Sequence, residues 1–211
     1  TVFDTLNGKA ALFGLREIFN KKGINLPVMI SGTITDASGR TLSGQTIEAF
    51  LTSISHFKPV SVGLNCALGA KELYPYIKNL SKISPFYVSV HPNAGLPNQF
   101  GSYDETPEEM AGIIKNYLDD NSANIIGGCC GTTPEHALLM AELASKAEPR
   151  KLSRPEIETR VSGLETVLIS SESNFINIGE RTNVAGSKKF ATLIREEKYE
   201  ESLAIAREQV E

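Results

Sequence analysis

The sequence predicts an α/β protein built as the later five βα units of a (β/α)8 TIM barrel, followed by the beginning of a second TIM-type barrel. Three observations carry this. Short apolar runs alternate with amphipathic segments, the pattern of strands and helices around a parallel sheet. Five candidate strands recur along the first part of the chain, each with room for a helix before the next, and none reads as an edge strand. A polar, proline-containing stretch then separates this part from a second, shorter run of strand and helix patterns. A doubly wound open sheet is the alternative architecture.

The candidate strands are Val2-Phe3, which reads as truncated, Pro27–Ser31, Val60–Leu64, Phe86–Val90 and Asn124–Gly127. Leu6–Lys22 is expected as helix from the spacing of Ala10, Leu12, Phe13, Leu15, Ile18 and Phe19, with Gly23 as its stop. Ser43–His56, Ala70–Leu80, Thr106–Leu118 and Thr133–Ser145 come next as helices. Ser43 and Thr106 are candidate N-caps, and Pro107 and Pro134 suit first turns. The domain division is 1–147, with a linker over 148–160 marked by Pro149 and Pro155, and a second domain over 161–211. There Glu165–Ser170 and Asn174–Ile178 read as strands, Ser187–Glu196 and Tyr199–Glu211 as helices. About fifty residues cannot close a barrel of the usual ~250 residues, so the second domain is expected to be partial. The opening Thr1-Val2-Phe3-Asp4 shows no methionine and no cap signal, and the expectation is a segment of a longer parent.

The chain has 211 residues, 41% of them hydrophobic, and a net charge of -4, enough for a sizeable core. That charge, with no basic run beyond Lys21-Lys22 and Lys188-Lys189, argues against a nucleic-acid or anionic-membrane partner. No stretch approaches the roughly 18 apolar residues of a membrane span, so a cytoplasmic protein is expected. Three cysteines, two of them adjacent, do not make a disulfide framework. Reduced thiols or a metal site remain.

Cys66 follows the strand Val60–Leu64, and Cys129-Cys130 follow Asn124–Gly127, so all three fall where strands end, the edge that carries chemistry in parallel α/β folds. Two neighbouring thiolates and a third from another strand supply three corners of a tetrahedron. Zinc accepts that set, and the lack of a fourth protein ligand fits an open, catalytic site. Unreactive thiols in glycine-rich turns are the other reading. Coordination removes a thiol proton at neutral pH, and three cysteinates leave the centre formally at -1, which suits alkylation of an added sulfur better than hydrolysis. No dinucleotide or P-loop pattern occurs, and Gly131-Thr132-Thr133 lacks the lysine.

His56 and His136 are expected to be structural. His91 opens His91-Pro92-Asn93-Ala94-Gly95 on the same rim as the cysteines, where Asn93 can bind a substrate carboxylate or amine; a plain Pro/Asn/Gly turn is the competing reading. Asp4 and Asp36 also fall at strand ends, but nothing pairs them as acid and base. Asn177–Asn183 again places polar groups after a strand, either as a site for a polar heterocycle or as a turn before a helix.

Ile30–Asp36, Gly63–Gly69, His91–Gly95 and Gly127–Thr133 together resemble the homocysteine barrel of the cobalamin-dependent methionine synthases, and the likeness runs through nearly the whole chain. The resemblance implies zinc on Cys66, Cys129 and Cys130, and Asn93 at the amino-acid end of homocysteine. Betaine-dependent and other homocysteine methyltransferases share Gly-Gly-Cys-Cys-Gly, so this part leaves the methyl donor open. Gly179–Ser187 resembles the opening of the family's pterin-binding barrel, which implies that Arg181, Thr182 and Asn183 touch the pterin of methyltetrahydrofolate. The implied activity is methyl transfer to homocysteine, giving methionine, with methyltetrahydrofolate as donor through cobalamin bound by another module of the parent. The early barrel strands and the family's substrate-binding glutamate fall outside this sequence. An inactive zinc-binding fragment is therefore the second expectation.

Overall fold

The computed structural model describes all residues except 36–37, 155–157, 177–181 and 211, and the backbone alone of 209–210. Four parallel strands form one sheet in the order β1 (Met29–Gly32), β2 (Ser61–Gly69), β3 (Tyr87–Asn93) and β4 (Ile125–Ile126). The helices α1 (Thr5–Lys22), α2 (Ile47–Ile54), α3 (Ala70–Ile83), α4 (Pro107–Asp119) and α5 (Pro134–Ala144) alternate with them. The βα alternation expected from sequence is present. Val2 contributes only an isolated parallel bridge to Gly32 rather than a strand.

Local chemistry sets the helix boundaries. Asp4, in an opening that carries no cap signal by sequence pattern, caps α1 through its carboxylate, which accepts from Leu6 N at 2.8 Å. Gly23 ends that helix in the left-handed region, at φ 63°. The start of α2 falls at Thr46 rather than Ser43, because the Ser43 hydroxyl is engaged with Thr41 while Thr46 accepts from Ala49 N. At α4, Thr106 and Glu109 cap each other reciprocally and Pro107 fills the first position, as expected.

Register explains the two faces of the sheet. Ile30, Val62, Leu64, Val88 and Val90 point toward the helices and are almost wholly buried with Phe50, Leu73, Ile77, Ile114 and Tyr117. Burying side chains of this size contributes about 1.5–3 kcal/mol each. The opposite parity carries Ser31, Gly63 and Ser89 in one row and Asn65 beside His91 in the next, a small and polar face. Gly63 is obligatory there, since a Cβ would lie 2.0 Å from Ser89 O.

The stretch expected as a linker is partly built into the fold. Arg150 is 4% exposed, and its guanidinium donates to Ser84 O at 3.1 Å, Phe86 O at 3.2 Å, Asn124 Oδ1 at 3.2 Å and also to Ser81 O. Asn124 Nδ2 returns a bond to Arg150 O at 2.9 Å. Charge composition alone makes this arginine look like solvated linker. Thr159 and Arg160 already belong to β5 (Thr159–Ser162), which pairs antiparallel with β6 (Thr166–Ile169).

Glu165–Ser170, expected as a strand of the second domain, supplies β6 of this antiparallel hairpin. The hairpin docks on α2 and the loop before it: Gln45 Nε2 donates to Gly163 O at 2.8 Å, Ser162 Oγ to Ala49 O at 2.9 Å, and Arg40 pairs with Glu165 at 2.6 Å. The three residues between its strands make a tight turn at Gly163, which returns the chain beside itself before a crossover helix can form. Asn174–Ile176, part of an expected strand, are irregular, and Asn177 and Ile178 lie outside the described residues. The helices α6 (Lys188–Arg195) and α7 (Tyr199–Val210) pack on each other. No helix among the described residues is long and apolar enough to cross a membrane.

Replacing Arg150 by Met should lower unfolding free energy by about 2–4 kcal/mol, because several buried acceptors lose their donor at once. The urea midpoint measures it, and a change under about 0.5 kcal/mol, the range of ordinary surface substitutions, is incompatible with an anchoring role.

Candidate metal centre

β2 delivers the first cysteine by breaking its own ladder. The pairing of β2 with β3 runs regularly to Asn65 opposite His91 and resumes only at Gly69 opposite Asn93. Between these points Cys66 and Ala67 stand consecutively in the left-handed region, at φ 60° and 61°. Side chains with a Cβ adopt that conformation at about 1–3 kcal/mol each, and such residues gather at functional sites. Asn65 braces the bulge by accepting from Ser31 Oγ at 2.6 Å. The sequence pattern places Cys66 at the strand end but carries no signal for this turn.

The other two cysteines are pinned to the end of β3. Gly127 N donates to Val90 O at 3.0 Å, continuing the β3–β4 pairing. Cys129 N then donates to Pro92 O at 2.8 Å, Cys130 N to Asn93 Oδ1 at 3.1 Å, and Ala94 N to Cys130 O at 2.9 Å. Thr132 closes the turn, its hydroxyl donating to Cys129 O at 2.8 Å. Gly131 takes φ 80°, which a glycine adopts freely.

The three sulfurs converge. Cys66 Sγ lies 3.6 Å from Cys130 Sγ, Cys129 Sγ lies 3.9 Å from Cys130 Sγ, and all three fall within 4.8 Å of one another. An ion held at about 2.3 Å from each of four tetrahedral sulfurs separates them by about 3.8 Å. The two shortest separations bracket that value, and no fourth His, Cys, Asp or Glu among the described residues joins the group. The donor set therefore fits a soft, four-coordinate divalent ion with one position left for another ligand.

Electrostatics set the three thiols apart. Partial burial pushes Cys66 up, but hydrogen bonds from Ala67 N–H and from the Cys130, Cys129 and Asn93 side chains outweigh it and leave its pKa below the ordinary value. Burial, and then the proximity of Cys66 and Cys130, push Cys129 up to about 11. Without a cation the cluster resists full ionisation.

Asn93 is 2% exposed. Its carbonyl is taken by Cys130 N–H, and its side chain helps lower the pKa of Cys66, so it faces both halves of the cluster. His91 lies on the rim with its ring where a Cβ of Gly127 would stand, and burial lowers its pKa, but it is not among the converging ligand atoms. His136 is structural as expected: Nδ1 accepts from Thr133 N at 3.1 Å and Nε2 faces Glu105 O at 3.1 Å. His56 holds Ser53 O through Nδ1 at 3.0 Å at the end of α2, also as expected. Arg181 and Asp36 lie outside the described residues. Thr182 and Asn183 are half-buried, and Asn183 Oδ1 accepts from Ala185 N at 2.8 Å in the turn before α6. Tyr103 escapes sequence reasoning altogether: it packs over the double-cysteine turn, so that a Cβ on Gly131 would lie 2.3 Å from Tyr103 Cβ. Partial burial and the nearby cysteine sulfurs raise its pKa.

A trio of cysteines at the C-terminal edge of a parallel α/β sheet forms a group that could hold a metal ion. The model of the homocysteine S-methyltransferase family matches residues 1–144, and the chain belongs to that family. Among solved structures, the metallated form of the homocysteine methyltransferase MmuM from Escherichia coli is similar, at 23% identity and a TM-score of 0.43. The match covers 62% of this chain and 40% of that protein's length.

Cobalt(II), a spectroscopic stand-in for zinc, should give thiolate-to-metal charge-transfer absorption at one equivalent. Replacing any of the three cysteines with serine should weaken binding beyond the roughly 10- to 100-fold typical of an outer-sphere change. Because Cys129 keeps its proton to about 11 in the metal-free chain, protons must leave as metal binds, so apparent affinity should rise with pH across the neutral range. A flat profile contradicts a three-thiolate site.

Proposed function

We propose that this chain carries the metal-holding part of a site that methylates homocysteine on sulfur, with zinc on Cys66, Cys129 and Cys130. The observation that supports it best is the convergence of the three sulfurs at one strand edge, in a chain of this family. When bound, zinc lowers the pKa of a thiol presented at its remaining position, which makes a sulfur nucleophile available at neutral pH.

The chain's own residues do the rest of the work at this edge. The Cys66–Ala67 bulge aims one sulfur toward the β4 turn, and Asn93 holds Cys130 through its backbone. Asn93 is also the proposed contact for the amino-acid end of the substrate.

The finer reading is a cobalamin-dependent methionine synthase, with methyltetrahydrofolate as donor and cobalamin as carrier on another module. It rests on the resemblance of residues 179–187, with Arg181, Thr182 and Asn183 toward the pterin. A second reading is that this chain alone binds zinc and homocysteine without turnover. The open four-stranded sheet favours it, since one wall of the rim carries all the chemistry described.

Calorimetric titration of homocysteine into the zinc-loaded chain should show binding that disappears on chelation and in Cys129→Ala. Binding that survives either treatment sinks the proposal. Incubation with free methylcobalamin then separates the two readings: methionine formed by the 211-residue chain excludes the binding-only one.

A further inference from the structure

A second concavity lies at the edge of the sheet opposite the cysteines. Lys58 and Phe86 stand just before β2 and β3, whose far ends carry Cys66 and Asn93. With α2, the end of α3 and the chain around Lys151 and Arg160, they enclose a cleft of about 1220 Å³. Ligand clefts run to about 300–1,000 Å³, so the space is ample for a small molecule. Both walls are anchored. On one side Arg150 fastens to Ser84 O and Phe86 O, and Ser153 Oγ donates to Lys82 O at 2.9 Å. On the other the hairpin is tied to α2, Ser53 Oγ donating to Ser162 Oγ at 3.1 Å and Thr52 sharing a hydrogen bond with Thr166 at 3.1 Å. The cleft is therefore built before any ligand arrives.

Its lining divides by chemistry. Leu51, Ile83, Pro85, Phe86 and Leu152 give it an apolar part, and Lys58, Lys151 and Arg154 are exposed cations around it. Arg160, the remaining cation, is paired with Glu158 at 3.0 Å, so those two charges cancel. The side chains of the other three make no ion pair among the described residues, although the chain as a whole carries a net charge of -4. Like charges gathered over apolar walls raise the local potential and draw in an anion. A bare inorganic anion would leave the apolar part wet, and a hydrocarbon would leave the cations unused. A ligand with both features satisfies both parts.

We infer that this cleft binds an amphipathic anion, with an aromatic or alicyclic body against Leu51, Phe86 and Leu152 and a carboxylate, sulfonate or phosphate held by Lys58, Lys151 and Arg154. The inference is independent of what the cysteine edge does.

The probe is anilinonaphthalene sulfonate, an aromatic body with one sulfonate, titrated into the 211-residue chain by fluorescence and calorimetry. One saturable equivalent should bind with blue-shifted emission. Lys151→Gln and Arg154→Gln should each weaken it roughly two- to fivefold, as loss of one exposed charge pair does, and added salt should weaken it in the parent. Lys58→Gly should act alike while the urea midpoint holds or rises, because Lys58 takes φ 56°, a conformation that glycine adopts freely. Leu152 is 43% exposed, so Leu152→Glu should abolish binding, through lost apolar area and added repulsion, without unfolding the chain. Phenylnaphthylamine, which lacks the sulfonate, should bind parent and cation variants equally. Cation variants that weaken both compounds alike, or neither, overturn the proposal. So do several equivalents indifferent to every substitution, because the probe then coats exposed apolar surface such as Leu6 and Phe13 of α1. Displacement of the probe by zinc or homocysteine also overturns it, by placing the probe at the cysteine edge.

Discussion

The site depends on three hydrogen bonds between the end of β3 and the double cysteine, two between backbone groups, Cys129 N to Pro92 O and Ala94 N to Cys130 O, and one from Cys130 N to the side-chain Oδ1 of Asn93. β4 has only two residues in its ladder, so sheet pairing alone cannot fix the glycine-cysteine turn beyond its end. These bonds extend the pairing of β3 past the strand ends, where side chains leave the sheet. Cys66, held on β2 by the same neighbour strand, then meets Cys130 without any contact between the two loops being required to create the alignment. β3 is in effect the ruler against which both halves are measured.

That alignment works against local electrostatics and local backbone preference alike. Three thiols within 4.8 Å cannot all ionise cheaply, and Cys129 is driven up to about 11. Two consecutive left-handed residues add strain on the Cys66 side. The rest of the fold must hold these groups in place, and the buried face of β2 and β3 does so, with Val62, Leu64, Val88 and Val90 almost fully enclosed. A divalent cation removes the first of these two costs and leaves the second.

Much of the fold is legible in the sequence because it obeys periodicity. The alternation of apolar runs with amphipathic segments locates four parallel strands and five helices to within a few residues, and the cysteines, each just after such a run, come together as their placement implies. The hidden features depend on partners distant in sequence. Arg150 looks like linker until Ser84, Phe86 and Asn124 surround it, and the α2 start moves to Thr46 because Ser43 is engaged by Thr41. The hairpin at Gly163 is obscured for a related reason. Glu165–Ser170 has the composition of a strand, but composition does not say which neighbour it pairs with, and the preceding Thr159–Ser162 is hidden in a charged stretch.

Asn93 shows how the site differs from a motif. In the sequence it is the polar residue of a Pro-Asn-Ala-Gly turn, naturally read as reaching outward to a ligand. In the fold it is almost fully buried, with Cys130 N–H on its carbonyl and Cys66 on its side chain. An aspartate of the same shape would keep the acceptor for Cys130 N–H but set a negative charge against a cluster of sulfurs that already resists ionisation. A leucine would leave Cys130 N–H without its acceptor in a buried place, at about 1–3 kcal/mol. A neutral side chain with an acceptor satisfies Cys130 N–H without adding charge beside Cys66. The requirement for asparagine therefore follows from the cysteine cluster itself, before any substrate is considered.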